Sequence, residues 1–139
     1  MTAVLEGITA RTVTTDRLAT RVLFSGDVIF EGRVPFLGDA NTRHWLRVLE
    51  RMEREQLVAL VPGHGAAAED PNQAIASMRR YLSYLRDTMK AAVEDFIPFD
   101  EAYDATDWSE FEHLPAFAEV NRRNAYQVYL SMEAESLSE

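Results

Sequence analysis

A chain of 139 residues, 47% hydrophobic and 10% aromatic, has the apolar material for one buried core and is too apolar for a disordered segment. With no cysteine, disulfides and thiolate metal sites are excluded. The net charge of −9 falls in the second half: residues 1–65 carry eight Arg and eight Asp/Glu, residues 66–139 six basic and fifteen acidic groups, a balance that repels nucleic-acid backbones and suits a solvated helical face.

Met1 to Thr15 lacks a basic start followed by an apolar block, and no run approaches the roughly 20 apolar residues of a membrane span. A cytoplasmic location is the default expectation. Ile8 to Thr14, rich in Thr and Val, predicts an edge strand, with Thr15-Asp16-Arg17 turning the chain. Arg21 to Ser25 predicts a short buried strand stopped by Gly26-Asp27, and Val28 to Ala40 a loop of functional length. A helix is predicted from Asn41 or Thr42, with Trp45, Leu46, Leu49 and Met52 on its dry side. Leu57 to Val61 is a continuous apolar run of strand length, ended by Pro62-Gly63. Strand, loop, helix, strand is an α/β order.

The second half reads as helical. Asp70-Pro71-Asn72-Gln73 is a capped start, and Ile75, Met78, Leu82, Leu85, Met89, Val93 and Phe96 mark one face until Pro98. Asp107-Trp108-Ser109-Glu110 is a second capping pattern. A last helix is predicted from about Pro115 to Ala134, with Phe117, Val120, Ala125, Val128, Tyr129 and Met132 apolar and Glu135 to Glu139 fraying. Two units follow: residues 1–69 as a partial α/β unit, and residues 70–139 as a helical extension packed on it.

Two short motifs carry chemistry: Phe24-Ser25-Gly26-Asp27 and Val61-Pro62-Gly63-His64-Gly65, each at the carboxyl end of a predicted strand. Ligands of open α/β sheets gather at that edge, and glycine beside each residue lets backbone approach a bound group. A carboxylate and an imidazole delivered there suit zinc, although from the residues alone turn roles are equally consistent. Together the motifs resemble the C-terminal portion of metallo-β-lactamase-fold hydrolases, and the stretch from Trp108 through Leu114-Pro115-Ala116-Phe117 and Asn121-Arg122 to Tyr126 is similar to the extension of the subgroup that accompanies sulfur-oxidation and quinoprotein systems.

The resemblance implies an α/β fold, half of an αββα sandwich with few strands and one crossover helix, plus a C-terminal helical extension. It implies that Asp27 bridges two zinc ions and that His64 binds one of them. In complete members, such a metal pair activates water against a small ester, thioester or amide. The departures are equally specific. The motif His-x-His-x-Asp-His is absent, and His44, His64 and His113 are the only histidines. His44, early in the predicted helix, is a weaker candidate ligand, and His113 reads as a packing or hydrogen-bonding residue. Glu31, Arg33 and Asp39 are loop charges within reach of a substrate.

The expectation is a family fragment begun at an internal start, inactive alone, with zinc weakly held or absent. The alternatives are a homo-oligomeric assembly module derived from the fold, or one half of a split hydrolase completed in trans by an N-terminal half. None of them involves nucleic acid or a membrane.

Overall fold

The computed structural model describes residues 2–3, 13–15, 22–30, 32–38, 40–54, 59–64 and 70–138, the strands among them by backbone alone. The element order is β1 (Thr2–Ala3), β2 (Val13–Thr15), β3 (Val22–Phe30), α1 (Thr42–Arg54), β4 (Ala59–His64), α2 (Pro71–Glu94), α3 (Phe99–Ala105) and α4 (Phe117–Leu137). The backbones of β1 to β4 pair in sequence order, antiparallel at the first two junctions and parallel between β3 and β4. Residues 16–17 and 57–58, where a turn and the start of a strand are expected, lie outside the described residues.

The half-sandwich expectation is overturned. The residues whose side chains are described are 71% helical, with four helices and no strand among them. The reason is the destination of α1. Read as the crossover helix of a sheet, it instead buries Trp45, Val48, Leu49 and Met52 in one cluster with Ile75, Met78, Leu82, Leu85 and Met89 of α2 and Ala125, Val128 and Met132 of α4. The described core is therefore helix on helix, and no second sheet layer is needed to cover these faces.

Local chemistry sets the helix ends. Asn41 Oδ1 accepts from the His44 amide at 3.0 Å, and Arg51 and Arg54 sit in the last turn of α1, where the helix dipole favours cations. Asp70 caps α2 by accepting from the Gln73 amide at 3.1 Å, as its sequence predicts. The predicted stripe of α2 is buried through Met89, half-buried at Val93 and lost at Phe96, which is 92% exposed. The helix has already stopped: the Phe96 amide donates to Val93 O at 3.2 Å and the Ile97 amide to Ala92 O at 2.8 Å. Those two bonds form a Schellman motif, whose left-handed position is filled here by Phe96 at φ 57°. A phenylalanine in that conformation is strained and gains nothing from burial. Phe96→Gly is therefore expected to stabilise the protein by about 1 kcal/mol and raise its melting midpoint by about 3–5 °C, measurable by thermal circular dichroism.

Helix α3 is absent from the sequence reading, because seven residues without an apolar stripe follow a proline that also reads as a stop. Pro98 serves instead as the residue before its first turn, followed by Asp100 and Glu101 at the positive end of the helix. The pattern at Asp107 does not open a helix. Asp107 Oδ1 accepts from the Ser109 amide at 2.9 Å, which holds its carboxyl below the usual range, and turns follow through residue 114. At the other end α4 runs on to Leu137, past the predicted fraying point. Arg86 of α2 holds Glu135 through both carboxylate oxygens, at 3.0 and 2.9 Å, and donates to Thr42 Oγ1 of α1 at 2.9 Å. That charge-assisted pair, made by Nη2 alone and with Arg86 only 14% exposed, fixes the last turns of α4. No helix among the described residues is long and apolar enough to cross a membrane.

Candidate metal site

The two motifs lie on neighbouring parallel strands. Gly26 stands opposite Pro62 and Phe30 opposite His64, with register shifts between Phe24 and Gly26 and again between Gly26 and Phe30. Asp27 therefore falls in an irregular stretch of β3 with three residues of the strand beyond it, where its sequence predicts a loop. His64 is the last residue of β4. An irregular strand carries unpaired backbone and re-aims its side chains, which is why such bulges recur beside binding sites. The side chains of Asp27 and His64, and all of Glu31 and Asp39, lie outside what is described.

The other candidates separate clearly. His44 occupies the first turn of α1, and its Nε2 is buried without a hydrogen-bond partner among the described residues. His113 is exposed in the turns before α4. Arg33 is half-buried, with Nε 3.5 Å from Val34 O. Among the described residues no three His, Asp or Glu side chains gather closely enough to hold a metal ion.

The helical body holds a second polar constellation, which the sequence reading did not single out. Asn121 and Asn124, both 0% exposed, sit on the buried face of α4. Tyr81 of α2 donates to Asn121 Oδ1 at 2.6 Å and accepts from Asn124 Nδ2 at 3.1 Å, while Asn121 Nδ2 reaches the Tyr103 hydroxyl at 3.0 Å. Asn124 also accepts from the Leu37 amide at 3.1 Å and donates to Pro35 O at 2.6 Å. Burial pushes the Tyr81 phenol far above its ordinary range, so it stays protonated as a donor. The signal was available in the spacing: positions 121, 124, 125, 128 and 132 form one helical stripe, and two of its members are Asn. These side chains join α2, α3 and α4 and pin the segment between β3 and α1. Their groups satisfy one another, so the constellation is structural.

No protein-family model matches this chain, and no curated protein matches it.

Zinc is the ion that the family resemblance implies, and the available donors fit it in kind, as they would iron or manganese. They are a carboxylate on β3, an imidazole at the end of β4 and an orphaned imidazole nitrogen on α1. In number they fall short of a dinuclear site, because the whole chain has three histidines and no cysteine.

Proposed function

We propose that this chain is the C-terminal part of a metal-dependent hydrolase of the metallo-β-lactamase superfamily, with Asp27 and His64 as two zinc ligands, and that it is inactive alone. The reading is supported by the parallel register of β3 and β4, which runs the Gly26-Asp27 backbone beside that of Pro62-Gly63-His64. Two chemically suitable residues on sequence-distant motifs thereby share one stretch of paired backbone. The remaining donors come from a complementary N-terminal half, and a small ester, thioester or amide is the substrate class of the completed site. When bound, zinc supplies Lewis acidity and lowers the pKa of water. The contribution of this chain is to hold part of the ion's shell.

The test is metal content after dialysis against zinc, combined with hydrolysis assays on ester and thioester reporters. The expected result is at most one weakly held zinc per chain and no turnover. Asp27→Asn and His64→Gln are each expected to weaken zinc binding by about ten-fold or more, since even outer-shell partners act on that scale. Two tightly held zinc ions with turnover would overturn the claim of inactivity. Unchanged affinity in both variants would remove the ligand assignment.

A further inference from the structure

We propose that a second copy of this chain docks on the outer face of α4, helix against antiparallel helix about a two-fold axis. The surface is carried by α4 and by the turn between α2 and α3, elements that hold none of the candidate metal ligands.

Helix α4 has two faces. Asn121, Ala125, Val128 and Met132 turn into the core. Arg123, Tyr126, Leu130, Glu133 and Leu137 recur at alternating steps of three and four on the opposite side, and all five are exposed. That spacing is the seam of a coiled coil. A face meant only for water would carry polar side chains throughout, yet Tyr126 is 44% exposed, Leu130 39% and Leu137 87%.

The neighbouring turn widens the patch. The Tyr129 hydroxyl donates to Ile97 O at 2.8 Å, and the Phe99 ring stands 5.0 Å from that of Tyr126, so the segment linking α2 to α3 runs beside this face. It carries Phe96, exposed and held in a left-handed conformation that suits glycine. Within one copy nothing compensates that strain, and such outliers are kept where the side chain has a use. Phe96, Tyr126, Leu130 and Leu137 are four of the five large hydrophobic residues exposed among those described, so the apolar exposure is concentrated here.

Charge selects the occupant. Two charges of α4 are already used within the fold: Arg122 pairs with Asp100 at 2.6 Å, and Glu135 with Arg86 at 2.9 Å. Arg123 and Glu133, which bracket Tyr126 and Leu130, make no ion pair among the described residues. With the two-fold axis at the level of Val128, an antiparallel copy sets Tyr126 on the partner's Leu130. The same register sets Arg123 on the partner's Glu133, and each contact occurs twice. One stripe thus supplies an apolar centre and both of its complementary ends, as a self-matching interface requires. Parallel copies would bring arginine onto arginine and glutamate onto glutamate, so the charges oppose that orientation.

Analytical ultracentrifugation of the full chain tests this at about 0.15 M salt, where the general repulsion of two chains of charge −9 is screened beyond about 8 Å. The expected result is a reversible monomer–dimer equilibrium. Leu130→Ser should weaken it by about ten-fold or more. Arg123→Glu and Glu133→Arg should each weaken it by about five-fold or more, because each alone creates two like-charged contacts. Mixing these two variants in equal amounts should restore association, since each then supplies the charge the other lacks. All three positions are exposed, so every variant should keep the wild-type far-ultraviolet circular dichroism when dilute. Phe96→Gly should weaken the dimer while raising the melting midpoint of the dilute chain, two effects of opposite sign that loss of folding would not produce. A chain that stays monomeric up to about 1 mM overturns the proposal and leaves the face to another occupant. So does a dimer that Leu130→Ser or either charge reversal leaves intact, or a mixture that associates no better than its components.

Discussion

Replacing Trp45 by alanine is expected to lower the unfolding free energy by about 3–5 kcal/mol, a large fraction of what a domain of this size usually has. Trp45 is 1% exposed and lies in the cluster where α1 meets Leu82, Leu85 and Met89 of α2. Those neighbours belong to a single helix whose own position is fixed by α4, so they cannot close over the space an indole leaves. The cost is therefore loss of transfer free energy plus a cavity. Urea unfolding followed by far-ultraviolet circular dichroism measures it, with the midpoint moving and the slope unchanged. Trp45→Leu, which refills part of the volume, should recover a substantial part of the loss. A shift below about 1 kcal/mol for alanine would mean that α1 is not part of the cooperative core.

That result would also test the correction to the architecture, because it asks what α1 is packed against. Its stripe of Trp45, Leu49 and Met52 was legible in the sequence, as was the capped start of α2. The partner was not legible, because a helix that covers a sheet and a helix that covers other helices show the same periodicity. Helix α3 was hidden because Pro98 reads as a stop, and the extent of α4 because Arg86, which holds Glu135, is 49 residues away. Nor does the order of elements say that the strands holding Asp27 and His64 pair in parallel, which is seen only in the register of their backbones. The orphaned nitrogen of His44 depends on what surrounds it in space, and nothing in Asn41-Thr42-Arg43-His44 announces it.

Asn124→Ala is expected to cost about 2–5 kcal/mol, although it removes little apolar surface. The amide of this side chain makes three contacts that nothing else replaces: it accepts from the Leu37 amide, donates to Pro35 O and donates to the Tyr81 hydroxyl. Val34, Pro35 and Leu37 are all buried, so the freed amide and carbonyl stay out of water and each carries the full penalty of an unmade bond. The segment keeps a further anchor among the described residues, the Val34 amide on Pro115 O at 3.0 Å, and the global fold should survive with this stretch loosened. Hydrogen exchange at the Leu37 amide separates a local effect from a global one. It should exchange much faster in the variant at a temperature where amides in the middle of α2 remain protected. Unchanged protection at Leu37, with a stability loss below about 0.5 kcal/mol, would show that the buried asparagine is a passenger on α4 and that another contact positions the connection.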